Sequence, residues 1–308
     1  MIADKFIDLY ARNSGLRDKL VAERDVVLTY ALHALHQAGV AEHLAFKGGT
    51  CLRKTVFGST GRFSEDLDFT LDSALPADDV LVKLVEAFNR EHHAVVFTFE
   101  EYYKTDDDGS FGGDVSYSHA WNVHGHFRLQ VSLRERPTLV AAPRDLKPQG
   151  YFGQLEFAPF AIRSLDVLEM MAEKLRAAFQ RVKVRDLYDL HRFATERFDG
   201  EILRRLAVLK LWQAKDPFEP DRFFEKIRDG LYEWEDLTRL MRRGERLDAN
   251  VIITSVERRF AFLRSMSDLE RAVVADSRSG RDIRLAEQLR GEIRQRLDRG
   301  MSDKGLER

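Results

Sequence analysis

The chain has 308 residues, and 49 Lys plus Arg nearly balance 51 Asp plus Glu, for a formal net charge of −2. That balance excludes a globally basic nucleic-acid binder, and the length allows one large domain or two ordinary ones. A single cysteine, Cys51, excludes an intrachain disulfide and a cysteine-based zinc centre, which fits a reducing cytoplasm.

The N-terminal "MIADKFIDLYARNSG" is charged throughout and lacks the apolar core of a signal peptide. No run is long and apolar enough to span a membrane, so a soluble cytoplasmic protein is expected. "RDKLVAERDVVLTYALHALHQAGV" has apolar residues at helical spacing and predicts an amphipathic helix ending near Ala38, before Gly39. "HLAFK" predicts a short strand, "TCLRKTVF" a short helix and "EDLDFTL" a strand. "LPADDVLVKLVEAFNREHH" predicts a helix with Pro76 early and Asp78 or Asp79 near its start.

"AVVFTFEEYYK" alternates as a strand does, and "TDDDGSFGGD" reads as a polar, glycine-rich turn. "VSYSHAWNV" and "HFRLQVSLRE" predict a hairpin around "HGH". Prolines and glycines make residues 136–153 a loop with short strand pieces. "SLDVLEMMAEKLRAAFQR" predicts a helix capped by Ser164, and "VRDLYDLHRFATERF" predicts another. From Glu201 the pattern is almost wholly helical, with 24 Lys plus Arg against 21 Asp plus Glu, leaving 25 against 30 before it. The expected division is an α/β part over residues 1–160 and a helical part over 161–308.

Two features carry chemistry. In a strand Asp66 and Asp68 share a face, whereas Leu67 and Phe69 share the other. Two carboxylates so close raise each other's pKa unless a cation joins them, and Mg²⁺ accepts such oxygen ligands together with phosphate and water. Upstream, Gly48 and Gly49 follow a strand and open a helix, which lets backbone N–H groups approach phosphate. Thr50 adds a hydroxyl, Arg53 lies one turn on, and Lys47 and Lys54 add charge. A phosphate cradle beside a two-carboxylate metal site is the apparatus of phosphoryl or nucleotidyl transfer.

The stretch resembles the AbiEii/AbiGii group of nucleotidyltransferase-like toxins, within the DNA polymerase β-type nucleotidyltransferase superfamily. "FKGGTCLRK" resembles the first motif of that group, "RFSEDLDF" the second, "EKLRAAFQR" the third and "VRDLYDLHR" the fourth, in order over residues 45–193. The resemblance implies an α+β fold: a polymerase β-like core, with a mixed sheet flanked by helices, followed by an α-helical C-terminal domain. It implies phosphate contacts at Gly48, Gly49 and Thr50, nucleotide support by Arg53, and Mg²⁺ (or Mn²⁺) on Asp66 and Asp68. Lys174 would contact nucleotide phosphates or aid the chemistry, and Asp189 or Asp186 would be the acid of the fourth motif. The implied reaction moves a nucleoside monophosphate from an NTP to an RNA acceptor, with a tRNA 3′ end leading. Blocking that end would halt aminoacylation and growth in a toxin–antitoxin or phage-defence setting, and an AbiEi-type antitoxin is the implied partner. No DNA or membrane partner is expected. The rival acceptors are a small molecule or a protein hydroxyl, and the remaining rival is a degenerate, non-catalytic nucleotide-binding module.

One departure stands out. Polymerase-type enzymes usually carry a third carboxylate on a later strand, but here the alternating positions of "HFRLQVSLRE" offer Gln130 and Ser132, or else Leu129, Val131 and Leu133. Ser64 should lie near the site mouth, where a phosphate on its hydroxyl would repel an incoming triphosphate. His119, His124 and His126 gather around the expected hairpin and read as polar turn residues. Cys51 is expected to be buried. The arginine-rich C-terminal helices read as salt-bridged solvated faces or as a surface that tracks an RNA backbone.

Overall fold

The computed structural model describes residues 2–105, 109–278 and 280–305, with side chains described as far as residue 299. The chain divides into two compact units: Met1–Asp166 with Glu235–Arg246, and Val167–Trp234 with Leu247–Arg308.

The first unit opens with helices α1 (Asp4–Asn13) and α2 (Lys19–Gln37), then β1 (Leu44–Lys47). Helix α3 (Gly48–Cys51) runs on through wider π turns to Phe57, and β2 (Leu67–Leu71) and α4 (Ala77–Phe88) follow. The remaining strands are β3 (Arg90–His92), β4 (Val95–Lys104), β5 (Ser110–Ser118), β6 (Gly125–Ser132), β7 (Ala142–Asp145) and β8 (Ala161–Ser164). All eight form one sheet in the order β3-β4-β5-β6-β2-β1-β8-β7. It is mixed: β2 pairs with β6 and β1 with β8 in parallel, and the other pairs are antiparallel.

The register sorts side chains onto two faces. Phe46 lies opposite Phe69, Phe69 opposite Val131 and Val131 opposite Phe111, and all four are buried. The alternate row runs Lys47, Asp68, Gln130, Gly112, Tyr103 across five strands.

Several elements differ from the sequence expectation. Ser110–Asp114, read as part of a turn, already belong to β5, and residues 106–108 of that turn lie outside the described residues. Gly112 and Gly113 are strand glycines because a Cβ at Gly113 would sit 2.6 Å from the Phe99 ring, and one at Gly112 would meet the Leu129 carbonyl and the Tyr103 hydroxyl. Ser164 ends β8, its hydroxyl bonded to the Ile162 carbonyl at 2.9 Å, and does not cap the next helix. The helix from Ala77 stops at Phe88, so that residues 90–92 can pair with β4. The helix predicted through Phe198 ends at Phe193.

Helix α2 is buried along most of its length and carries polar groups into the interior. Buried polar groups need partners, and Glu23, Thr29 and Asp25 find theirs. The Glu23 carboxylate accepts from Asn122 (2.8 Å) and the Tyr117 hydroxyl (3.2 Å), and lies 2.7 Å from His119 Nε2. Thr29 meets the Tyr151 hydroxyl at 2.6 Å. Asp25 receives Arg53 Nε at 2.9 Å, Arg53 Nη2 at 3.1 Å, Lys54 Nζ at 2.7 Å and the Tyr10 hydroxyl at 2.5 Å. Burial alone would raise the Asp25 carboxyl, but Arg53 and Lys54 outweigh it and hold the group below the ordinary carboxylate range.

The second unit is helical: α5 (Val167–Gln180), α6 (Val184–Phe193), α7 (Gly200–Gln213) and α8 (Pro220–Asp229) come first. The short α9 (Trp234–Thr238) leads into the segment that belongs to the first unit, and α10 (Ala249–Phe260), α11 (Asp268–Asp276) and α12 (Ile283–Gly305) complete the second. Buried Lys210 on α7 bridges Glu169 (2.5 Å) and Glu173 (3.1 Å) on α5. Arg204 on α7 reaches Glu270 at 3.0 Å, and Glu270 also closes a capping box with Ser267 at the start of α11. The expected domain boundary near residue 160 falls just before β8, whereas the chain divides after Asp166 because β8 pairs with β1 and β7.

Removing the acid at the centre of the first unit leaves two cations buried without their counter-ion. Asp25→Ala is expected to destabilise the protein by about 3–5 kcal/mol, measured by urea denaturation; a loss below about 1 kcal/mol would contradict this account.

Candidate active site

The two halves of the "KGGTCLR…SEDLD" segment meet through β1 and β2. Lys47 and Asp68 are cross-strand partners, which puts the last residue before the glycines level with the second acid. Gly48 follows with φ +79, a left-handed conformation that disfavours any residue with a Cβ. An added Cβ there would also lie 2.9 Å from Asp68 Cβ and overlap its carboxylate. The glycine turn and the acid are thus packed directly on each other.

Gly49 is held as tightly. A Cβ there would sit 2.6 Å from Arg62 Nη2 and 2.8 Å from Ser64 Oγ. Arg62 is buried and donates from Nη1 to the Phe63 carbonyl at 3.1 Å. Ser64 is only 7% exposed, so its hydroxyl faces the glycine turn and not an open mouth. Arg62 is a cation beside the glycine turn that the sequence reading missed. Its signal was its place two residues before Ser64 in "RFSEDLDF", where the second motif opens.

Thr50 was expected to touch phosphate. Its side chain is buried and its hydroxyl donates to the Asp66 carbonyl at 2.5 Å. It therefore fixes the backbone from which the first acid projects. Asp66 lies just before β2 and Asp68 within it; both are half-buried, while Leu67 and Phe69 are fully buried on the opposite face.

Arg53 does not face the site. It is 2% exposed, stacks on Phe63 at 3.6 Å, and donates to Asp25, the Gly61 carbonyl (2.8 Å), Tyr10 and Gln149. Any support it gives the nucleotide passes through the glycine-led helix and the Gly61 turn that it ties together. Lys54, expected to add charge near the site, is fully buried with Nζ bonded to Asp25 and to the Tyr151 hydroxyl at 2.6 Å. Burial pulls its ammonium down to about 8.

The register also answers which face of β6 looks toward Asp68. Gln130 is the parallel partner of Asp68, and Leu129 and Val131 are buried on the other side. Gln130 donates to Ser110 Oγ at 3.0 Å. Further along the same row the Tyr103 ring stands over Gly112, and its phenol is raised by burial and by Asp68, Asp114 and Asp66. Cys51 is buried, as expected, and desolvation pushes its thiol up to about 11.

In the helical unit, Lys174 on α5 lies between two acids of α6, 3.1 Å from Asp186 and 2.8 Å from Asp189. Both acids are buried, and Asp186 also accepts from Arg181 Nε at 2.8 Å. Burial raises the Asp186 carboxyl, but Lys174 and Arg181 prevail and bring it down to about 2. The choice between the two acids thus becomes a division of labour: each carboxylate holds one side of the same ammonium. Several C-terminal arginines form ion pairs, among them Arg228–Glu257 (2.8 Å), Arg264–Asp221 (2.8 Å) and Arg296–Asp199 (2.6 Å). The histidines at the β5–β6 turn do not act as a group, since His119 is buried on Glu23 while His124 and His126 are exposed.

The donor set suits a hard divalent cation: two carboxylates on one short segment, the second packed directly on a glycine. No described helix is long and apolar enough to cross a membrane.

Comparison with known proteins follows this geometry. The family profile "Nucleotidyl transferase AbiEii toxin, Type IV TA system" matches residues 30–297. Among solved structures, the chain is similar to MenT4, nucleotidyltransferase toxin Rv2826c from Mycobacterium tuberculosis H37Rv, with a TM-score of 0.79 and 22% identity over 95% of this chain and 99% of that one. No curated protein matches the sequence.

Two outcomes test this geometry. Gly48→Ala is expected to cost about 1–2 kcal/mol from the left-handed backbone alone and to abolish activity by displacing Asp68. Differential scanning calorimetry with a transfer assay would check both; full activity in a stable variant would refute the packing. Asp186 has a depressed folded pKa, so its contribution is present above the ordinary carboxylate value near 3.8 and is lost as pH falls toward about 2. Asp186→Asn should therefore lower stability by about 2 kcal/mol at neutral pH, with the deficit shrinking across that acid window.

Proposed function

The chain belongs to the AbiEii family of nucleotidyltransferase toxins of type IV toxin–antitoxin systems, and from that premise we propose that it transfers a nucleoside monophosphate from an NTP to the 3′ end of tRNA. The observation that carries the reaction class is the direct packing of Gly48 on Asp68, which joins a phosphate-binding turn to a carboxylate pair in one rigid piece.

In this reading, an acceptor hydroxyl attacks the α-phosphorus in line. One O–P bond forms, the bond from that phosphorus to the bridging oxygen of the β-phosphate breaks, pyrophosphate leaves with that oxygen, and the hydroxyl proton passes to water or to the departing pyrophosphate. Asp66 and Asp68 would hold Mg²⁺ or Mn²⁺, which when bound neutralises phosphate charge and polarises the phosphorus. The chain's own groups do the positioning. Gly48 and Gly49 let the backbone approach phosphate, Arg62 stands beside them as a cation, and Thr50 holds the Asp66 carbonyl. Lys47 adds charge level with Asp68.

Lys174 takes the role that the third motif implies, contact with nucleotide phosphate, and the two acids of α6 fix its ammonium. Asp189 is better suited to orienting Lys174 than to accepting a proton, because its carboxylate already holds a cation 2.8 Å away. Gln130 occupies the register where a third carboxylate would stand, and an amide cannot act as a base at neutral pH. Catalysis then rests on positioning and on stabilising charge more than on a strong base.

The RNA acceptor is proposed from the family's role. A toxin stops growth by altering something every cell needs, and a 3′-terminal hydroxyl shared by all tRNAs is such an acceptor. An AbiEi-type protein is the proposed antitoxin, and protection of the host population from phage is the proposed setting.

Incubating the enzyme with each labelled NTP, Mg²⁺ and total RNA should label a band of tRNA size. Label on protein, on a small molecule or on nothing would overturn the tRNA reading. Asp66→Ala should reduce transfer at least about 100-fold and relieve growth inhibition; unchanged toxicity in that variant would remove catalysis as the cause.

A further inference from the structure

A second cluster of chemistry-bearing side chains lies in the first unit. His33 projects from α2, His92 ends β3, and His93 opens the turn into β4. One ring nitrogen from each of the three lies within 4.8 Å of the others. Glu156 reaches the same cluster, with Oε2 3.8 Å from His93 Nδ1.

Three details mark this as more than aromatic packing. First, His33 Nδ1 and His92 Nε2 lie 2.8 Å apart, a hydrogen bond in which one ring donates its N–H to the other, so the nitrogen-bearing edges of the two rings meet. Second, Phe157 stacks on the His33 ring at 3.8 Å and 9°, with Phe160 tilted beside it at 5.2 Å. The ring face is covered while its edge, where a metal binds, is turned to the other histidines. Third, His93 and Ala94 both have left-handed backbones, φ 50 and φ 58, in a two-residue turn that glycine or asparagine usually occupies. Such strain persists when surrounding structure requires it, and here it carries His93 into the cluster.

We propose that His33, His92, His93 and Glu156 form a transition-metal site suited to Zn²⁺. Three imidazoles and one carboxylate complete a tetrahedral shell. Zinc–nitrogen bonds of about 2.0–2.1 Å place ligand atoms about 3.3 Å apart, so the three ring nitrogens draw in from within 4.8 Å of one another, and the Glu156 carboxylate, which stands against His93, must swing toward His33 and His92 to complete the shell. The site is structural. It ties α2, which also carries Asp25, to β3 and to the segment around Glu156. It draws no ligand from the Asp66–Asp68 pair.

The test uses the full chain, freed of any affinity tag and stripped with a chelator. Titration with Zn²⁺ by calorimetry should show one tight equivalent, Co²⁺ should give the intense visible absorption of tetrahedral coordination, and Zn²⁺ should raise the melting temperature. His92→Gln should lower Zn²⁺ affinity by more than the roughly 10–100-fold that loss of an outer-shell partner costs. Glu156→Gln, at a half-exposed position, should weaken binding without unfolding the apo chain, and circular dichroism checks that. Asp68→Ala should keep the equivalent. No saturable equivalent, unchanged affinity in His92→Gln, or loss of the equivalent in Asp68→Ala would each overturn the proposal.

Discussion

The buried ion cluster around Asp25 is the constraint on which the first unit depends. One carboxylate on α2 neutralises both Arg53 and Lys54, and Tyr10, Tyr151 and Gln149 satisfy the donors and acceptors left over. A charge this deep is costly unless it is paired and hydrogen-bonded. The cluster therefore has few alternative arrangements, and it sets where the glycine-led helix lies relative to α2. Gly48 and Gly49 are the first residues of that helix, so the geometry of the glycine turn is fixed from behind by the pairing of Arg53 and Lys54 with Asp25.

From that anchor the rest of the site follows through sheet parity. With β1 fixed, its antiparallel pairing to β2 puts Lys47 opposite Asp68, and the parallel pairing of β2 to β6 puts Gln130 beside it. A slip of one residue in either pairing would exchange the polar row for the row of Phe46, Phe69 and Val131. The apolar row is wholly buried, which is why the register is well determined. Close packing of two glycines against Asp68, Arg62 and Ser64 then removes the remaining freedom.

The helical unit repeats the same logic with opposite signs. In the first unit one acid holds two cations; on α5 and α6 two acids hold one, Lys174. Both arrangements keep a flexible, charged side chain in one place within a buried setting. For a reaction in which the phosphates carry most of the charge, placing cations firmly matters more than supplying a strong base.

The sequence by itself determined the reaction class and much of the architecture. The glycine pair, the two acids one residue apart and the later lysine and aspartates are local patterns, and alternation along "EDLDFTL" was enough to put Leu67 and Phe69 opposite Asp66 and Asp68. Helices and strands with clear periodicity were legible for the same reason. What only the tertiary structure decided concerns residues whose partners lie far along the chain. Arg53 and Lys54 look like site cations until Asp25, 28 and 29 residues upstream, is seen to claim them. Gly112 and Gly113 look like a turn until Tyr103, Phe99 and Leu129 are seen to leave no room for a side chain. His33 and His92, 59 positions apart, meet only once α2 and β3 are folded. Periodicity reports which face a residue occupies, whereas burial of a charge or the absence of a Cβ is answered by atoms brought in from elsewhere, and no local pattern encodes those.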